Sequence, residues 1–358
     1  MQSYVKSNDK MFHNARVTLT EICEVKAGEN MVIIADSDCF AYATVMSQVG
    51  RELGVNGIII DIDHWGGEEK YMKMPVMEPL RQAILHSDVS IMLTDQMKTD
   101  FGIFLGDSDD CDAALVAGTR RFTFEGTGME KWDLDIERIK ADRARTLALY
   151  EWLKNANEVR ITTKRGTDFT CKVGSAPDGM YPVMGIVPFY GEVAIVPSMG
   201  SVSGTVIADG ASECAYGQRG FPIRPAFAGH QELYMEPMKL VFKDSMLVEY
   251  DGPAVQKARL AKLLDDVDPK PDLCDEVGLV TCTSIENDMY GWRVDGSHQT
   301  HCIHVALGNN RRRGEIIHST EHVDFDVHDP VIAVDGVVIY QDRVFNDEVI
   351  FENAKKYQ

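Results

Sequence analysis

Several features that would assign this chain to a common class of protein are absent from its sequence. No apolar run reaches the ~18 residues that cross a bilayer, and the opening segment MQSYVKSNDKMFHN lacks the apolar core of a secretory signal. The eight cysteines form no CxxC pair, which argues against a cysteine zinc site and a disulfide framework. Their scatter is typical of buried, reduced thiols, so we expect a cytoplasmic protein with no membrane partner.

Positive charge is also scarce. The 358 residues include 36 Lys and Arg against 56 Asp and Glu, which gives a formal net charge of −20 at pH 7. A chain this acidic repels phosphate backbones, so we expect no nucleic acid partner. Neither GxGxxG nor GxxxxGK[ST] occurs, so nothing indicates a nucleotide. GxSxG is absent as well, so serine nucleophile chemistry has no support.

The first half of the chain alternates apolar runs with helical patterns. Strands are predicted at 30–36, 56–63, 88–95 and 120–126, with helices at 39–53 and 77–87 between them. This alternation predicts a mostly parallel sheet with helices on both faces. A long amphipathic helix at 134–156 would connect this α/β domain, residues 1–155, to the second half.

Short strand-like runs separated by turn residues fill the second half, beginning with a hairpin at 158–174. One helix, at 253–267, interrupts them. The pattern is typical of antiparallel sheets. We therefore predict a β-rich α+β domain over residues 156–358.

Histidine is concentrated near the C-terminal end, where six of the ten lie within 31 positions: His298, His301, His304, His318, His322 and His328. His322 and Asp324 occur in an alternating run, and positions i and i+2 of a strand point to the same side. His304 lies in a second strand-like run, and a loop over 309–320 would return the chain beside it. Two imidazoles and a carboxylate suit Zn²⁺, Mn²⁺, Fe²⁺ or Co²⁺. The alternative is a chance spacing of solvated side chains.

Two glutamates extend this candidate site. Glu192 and Glu276 each open an otherwise apolar strand, in YGEVAIVP and EVGLVT. A carboxylate in such a position is either exposed at the strand end or paired when buried.

Four segments resemble the metal-binding segments of a known superfamily in their order and intervals. They are PFYGEVAIVPSMGSVSGTVIADG (188–210), DEVGLVT (275–281), HVALG (304–308) and HVDFD (322–326). They are similar to segments of the thermophilic metallo-aminopeptidases, the aminopeptidase T and aminopeptidase S family, and KRGTDFTCKVG (164–174) resembles the hairpin that opens their metal-binding half. The resemblance implies a homo-oligomer and five metal ligands: Glu192, Glu276, His304, His322 and Asp324.

Three positions depart from the aminopeptidases. Gln299 stands where they carry a further ligand glutamate, so His298 or His301 would have to substitute as a neutral ligand. Asn309, Asn310 and Arg311 occupy the place of their catalytic tyrosine. No acid follows Glu192 in VAIVP, where their general base is expected.

A second branch of the same superfamily is 2,5-dihydroxypyridine 5,6-dioxygenase, which holds one Fe²⁺. The chain length, VAGTRR (116–121) and the hairpin RITTKRGTDF resemble this branch. The dioxygenase branch differs from this chain in having a histidine in place of Glu276, and it lacks counterparts of Glu192 and His304. Its first-domain histidine is replaced by an acid near Asp107.

The sequence therefore favours a metal-dependent hydrolase of the aminopeptidase T type, which acts on a small amide, peptide or heterocycle through metal-activated water. The alternatives are a non-haem Fe(II) ring-cleaving dioxygenase and a non-catalytic, metal-stabilised binding protein. The metal would be Zn, Mn, Co or Fe(II), bound in the second domain. Residues with a catalytic role beyond the ligands are not assigned, and His318 and His328 are assigned to a solvated loop.

Overall fold

The structure is a computed structural model. It describes residues 9–37, 39–62, 78–94, 118–125, 129–130, 132–173, 180–183, 186–187, 191–209, 212–214, 237–266, 270, 272–283, 301–309 and 318–357.

The described helices are α1 (Asp9–Val17), continued by the π-helix Thr18–Ile22, then α2 (Phe40–Glu52), α3 (Glu78–Leu85), α4 (Ile136–Leu153), α5 (Ala254–Asp266) and α6 (Asp347–Ala354). The strands are β1 (Asn30–Ala35), β2 (Asn56–Asp61), β3 (Val89–Thr94), β4 (Arg120–Glu125), β5 (Val159–Thr162), β6 (Asp168–Cys171), β7 (Met180–Val183), β8 (Ile186–Val187), β9 (Glu192–Ile195), β10 (Ser203–Ala208), β11 (Ser212–Cys214), β12 (Met238–Lys243), β13 (Met246–Asp251), β14 (Cys274–Val280), β15 (Cys302–Asn309), β16 (His318–His328), β17 (Val331–Val334), β18 (Val337–Gln341) and β19 (Val344–Phe345).

Two compact units contain these elements. The first extends to Lys140 and includes β8, and the second holds the other described residues from Ala141 onward. The first unit is built on a parallel sheet of order β2-β1-β3-β4-β8. Strand β1 is buried from Met31 to Ala35, as expected where helices cover both faces of a parallel sheet. The predicted mostly parallel sheet is therefore confirmed.

Within its described residues, the second unit contains two antiparallel sheets. One has eight strands in the order β13-β12-β10-β6-β5-β17-β18-β19, and the other has six in the order β11-β16-β15-β14-β9-β7. Apolar side chains from both sheets and from helices α4, α5 and α6 form one hydrophobic cluster. Within it the rings of Phe169 and Phe242 meet edge to face at 5.9 Å. The prediction of a β-rich second half is confirmed.

The six-stranded sheet has two different faces because side chains alternate along each strand. One face contributes Val193, Val277, Leu279, Ile303 and Val305 to the hydrophobic cluster. Strand β14 is buried along its whole length, so the intervening side chains on its other face are buried as well. That second face carries the polar residues described below.

The cysteines behave as predicted in the part of the chain that the structure describes. Six are free and buried: Cys23, Cys39, Cys171, Cys274, Cys282 and Cys302. Burial raises the pKa of Cys171 to about 12, so this thiol stays protonated at neutral pH and is a poor metal ligand.

No helix within the described ranges is both long enough and apolar enough to span a membrane.

Candidate metal centre

Glutamate and histidine side chains meet on the second face of the six-stranded sheet. Residues directly opposite each other on antiparallel strands point to the same side. Strand β14 places Gly278 opposite both Ala194 of β9 and His304 of β15. Glu276 lies opposite Ala306, and Glu192 lies opposite Val280. Glycine or alanine therefore lies opposite His304 and Glu276 and leaves room for their side chains.

The structure brings together three of the five predicted ligands. Ligand atoms of Glu192, Glu276 and His304 all lie within 4.8 Å of one another. Nε2 of His304 is 3.4 Å from Oε1 of Glu192 and 3.9 Å from Oε1 of Glu276. Two atoms that each lie ~2.1 Å from one metal ion at tetrahedral or octahedral angles are about 3.0–3.4 Å apart. The observed spacing is close to that separation, and a small contraction would bring the atoms to it.

Gly278 provides the space in which the cluster forms. A Cβ at this position would overlap the ring atoms Cε1 and Nε2 of His304 and would lie 2.5 Å from Oε1 of Glu192. Any residue larger than glycine would therefore displace the ligand atoms. Glycine is required at position 278 because the ligand side chains approach its backbone closely. Backbone conformation is not the reason, since Gly278 is not among the glycines with positive φ.

The charge of the cluster is visible in the pKa of His304. Burial alone would lower this pKa, because it disfavours the charged imidazolium. The carboxylates of Asp324, Glu192 and Glu276 outweigh burial and raise the pKa of His304 to about 10. Without a bound metal ion, the proton on the imidazole of His304 therefore provides the positive charge that the carboxylates attract.

Asp324 belongs to the same face but is not part of the group of three. It lies on β16 opposite Ala306, is 5% exposed, and acts on His304 through its charge. The backbone of His322 lies opposite Gly308, whereas its side chain is outside the described part of the structure. The assignment of these two residues as ligands remains a prediction.

Sequence reasoning missed one carboxylate on this face. Asp326 is fully buried and lies directly opposite His304. Its position two residues after Asp324 was the available signal, because the same period of two that links His322 to Asp324 continues to Asp326. Buried carboxylates gathered in this way are costly unless a cation balances them.

The other crowded histidines have different positions. His301 lies outside the group of three, and its Nδ1 is 2.8 Å from the hydroxyl of Tyr340. His318 begins β16 and His328 ends it, so the assignment of both to a loop is wrong. Asp209 accepts a hydrogen bond from the backbone N–H of His328 and lies 3.2 Å from its Nδ1. His298, Gln299, Asn310, Arg311 and Asp107 lie outside the described residues.

The donor set suits a divalent cation. Glu192 and Glu276 offer hard oxygen ligands and His304 offers a borderline nitrogen, a combination that binds Zn²⁺, Mn²⁺, Co²⁺ or Fe²⁺. The space kept open by Gly278 and the high pKa of His304 both indicate a place built for positive charge.

The chain matches a known protein family over more than half of its length. The family model described as 2,5-dihydroxypyridine 5,6-dioxygenase (NicX) matches residues 11–255. The matched range includes Glu192 and ends before the strands that carry Glu276, His304 and Asp324. No curated protein matches the chain by sequence.

Two solved structures share the fold over nearly the whole chain. The 2,5-dihydroxypyridine dioxygenase from Pseudomonas putida KT2440 has a TM-score of 0.69 and 15% identity, covering 95% of this chain and 98% of its own. Wild-type AmpT from Thermus thermophilus has a TM-score of 0.62 and 14% identity, covering 94% and 99%. The family match confirms the predicted resemblance to this superfamily, and both solved structures show the same fold.

Proposed function

Because the chain belongs to the family of 2,5-dihydroxypyridine 5,6-dioxygenases, we propose that it is a metal-dependent dioxygenase that opens the ring of a hydroxylated nitrogen heterocycle. The family match, which covers more than half of the chain, is the observation that carries this proposal. The sequence alone favoured the hydrolase, and the match reverses the order of the two interpretations.

In this proposal Glu192, Glu276 and His304 hold the metal, and Asp324 lies beside them. When bound, a metal such as Fe(II) supplies Lewis-acid activation and electron-transfer chemistry towards O₂. The protein residues orient the site. Gly278 leaves space for the imidazole of His304, and the hydrophobic cluster behind the sheet keeps the ligand-bearing strands rigid.

A second candidate function is hydrolysis of a small amide or peptide, favoured by the ligand set itself. Two glutamates and one histidine form a carboxylate-rich group, whereas the facial triad of Fe(II) oxygenases has two histidines and one carboxylate. Carboxylate-rich sites are common where metal ions activate water for hydrolysis. The predicted ligand positions at Glu192, Glu276 and His304 correspond to the aminopeptidase branch of the resemblance.

Metal content and oxygen consumption separate the two functions. The protein is purified anaerobically, analysed for metals, and loaded in parallel with Fe²⁺, Mn²⁺, Zn²⁺ or Co²⁺. We expect O₂ uptake with dihydroxypyridines in the Fe²⁺ sample, and none in a His304→Ala variant. A His86→Ala variant, changed at an exposed turn just after α3 in the first unit, serves as the control and should retain uptake. Turnover of aminoacyl p-nitroanilides by the Mn²⁺, Zn²⁺ or Co²⁺ samples without O₂ uptake would contradict the dioxygenase proposal.

We also propose a small-molecule substrate, a cytoplasmic location and a homo-oligomeric state. The six described thiols, all free and buried, support a reducing compartment. The oligomeric state rests on the resemblance to the superfamily.

A further inference from the structure

Glu192 is the first residue of β9, and a carboxylate at a strand end needs a fixed backbone if it is to hold a metal. The carbonyl of the preceding residue, Gly191, accepts two hydrogen bonds. They come from the backbone N–H groups of Thr281 at 2.9 Å and Cys282 at 3.0 Å. The chain that follows β14 therefore fixes the residue next to Glu192.

Helix α4 packs directly against this point. Gly191 has a φ of +136°, and a Cβ there would lie 2.8 Å from Oγ1 of Thr146 and 2.9 Å from Oγ1 of Thr281. These two hydroxyl groups are hydrogen bonded to each other at 2.7 Å. No larger residue fits at position 191, and the backbone leading into Glu192 is held between the helix and residue 281.

Asp142, one turn earlier on α4, fixes the same segment from its other end. Its Oδ2 accepts a hydrogen bond from the backbone N–H of Thr283 at 3.0 Å, and its Oδ1 accepts one from the Thr283 hydroxyl at 2.7 Å. Arg145 donates to Oδ1 of Asp142 at 2.7 Å and to the carbonyl of Thr281 at 2.9 Å. Asp142 is fully buried.

We propose that Asp142 is a positioning residue for the metal centre. Asp142 fixes the backbone of residues 281–283. These residues hold Gly191 by hydrogen bonds, and the fixed position of Gly191 places the carboxylate of Glu192 beside His304. The inference rests on the proposed metal site, because positioning matters only if Glu192 binds the ion. Groups that hold metal ligands in place are commonly worth about 10- to 100-fold in metal affinity.

The other partner of Arg145 offers a matched control. Asp347 of α6 receives two hydrogen bonds from the same guanidinium, at 2.6 and 2.9 Å. These bonds come from Nε and Nη2 of Arg145, whereas Nη1 donates to Asp142 and to the carbonyl of Thr281. Asp142→Asn and Asp347→Asn thus each remove one carboxylate from Arg145, but only the first also disturbs the segment that holds Glu192. Both carboxylate oxygens of Asp142 accept hydrogen bonds. In Asp142→Asn an amide NH2 group replaces one of these oxygens and faces a hydrogen-bond donor, so at least one of the bonds is lost.

The test measures binding of Mn²⁺ to the full chain by calorimetry, well below the unfolding temperature of each variant. We expect Asp142→Asn to weaken Mn²⁺ affinity about 10- to 100-fold, while Asp347→Asn lowers the unfolding temperature and leaves the affinity unchanged. The absorption spectrum of bound Co²⁺, which reports ligand geometry, should change in Asp142→Asn alone.

If Asp142→Asn does not fold, Thr283→Val provides the test, because it removes only the hydroxyl donor to Asp142. It should weaken Mn²⁺ binding in the same direction. Equal affinity losses in the Asp142 and Asp347 variants, or unchanged affinity in the variant changed at 142 or 283, would overturn the positioning role. Failure of the unaltered protein to bind Mn²⁺, Co²⁺ or Fe²⁺ would instead overturn the metal centre itself.

Discussion

In the proposed metal site, the imidazole of His304 must lose a proton when the metal binds, because Nε2 cannot hold a proton and a metal together. With a pKa of about 10, this residue is almost fully protonated in the metal-free protein at pH 8. An ordinary histidine, with a pKa near 6.5, would already be neutral.

Metal binding at pH 8 should therefore release about one proton. The measurement is calorimetric titration with Mn²⁺ in buffers of different ionisation enthalpy, from which the number of released protons is obtained. Affinity should rise with pH up to about 10, since deprotonation then no longer opposes binding. A binding heat independent of the buffer would contradict this prediction, and His86→Ala should release the same number of protons as the unaltered chain.

Residue types and spacing allowed part of the site to be predicted. Glu192, Glu276 and His304 were found because each lies in an apolar, strand-like run with a matching segment in the superfamily. Asp142 and Thr283 were not found, since their roles depend on hydrogen bonds between helix α4 and a segment about 140 residues later in the chain. No local pattern records such a pairing.

At the scale of elements, β14 carries one candidate metal ligand, Glu276, and also makes room for two others, Glu192 and His304. Glu276 and Gly278 alternate along it on the polar face, while Val277 and Leu279 lie in the hydrophobic cluster. A substitution on the polar face of β14 can therefore abolish metal binding while the strand stays paired in the sheet.

Gly278→Ala should abolish tight metal binding because the added methyl group would occupy the position of the His304 ring. The strand itself should persist, since alanine is compatible with extended backbone. Mn²⁺ titration and circular dichroism measure the two properties separately. Gly57→Ala is the matched control, a strand glycine whose Cβ would meet only the flexible end of Met31 at 3.3 Å and the Ser47 hydroxyl at 3.7 Å. Tight binding by the Gly278 variant would show that the ion lies elsewhere.

Element boundaries were predicted well where apolar periodicity is strong and poorly where it is weak. Strands β1 to β4 and helix α2 end within two residues of the predicted bounds. The start of β16 was predicted as a loop because the segment HSTEH shows no alternation of apolar and polar residues. It becomes a strand by pairing with β15, and the local sequence does not show this pairing. No local sequence pattern predicted helix α1, which is rich in polar residues. The same holds for the two-residue strand β8, which pairs with β4.

At the scale of the whole molecule, the net charge of −20 and the buried carboxylates of the second unit both favour cation binding. An ion bound only by the folded state stabilises it by mass action, about 2.7 kcal/mol when free metal is 100 times the dissociation constant.

Removal of metal should therefore lower the unfolding temperature. Scanning calorimetry with Mn²⁺ and then with excess chelator measures the difference, which should vanish in His304→Ala because that variant has lost a ligand. A chelator effect of equal size in both proteins would indicate a metal bound away from the six-stranded sheet.

The two faces of the six-stranded sheet have a further consequence for the redesign of the protein. Because the candidate ligands and the core side chains occupy alternate positions, residues 276, 304 and 324 can be exchanged while the intervening core stays unchanged. A designer can use the same division. A library limited to those three positions would sample metal preferences from carboxylate-rich to histidine-rich, with Glu276→His as its simplest member, on a scaffold whose packing residues stay as they are.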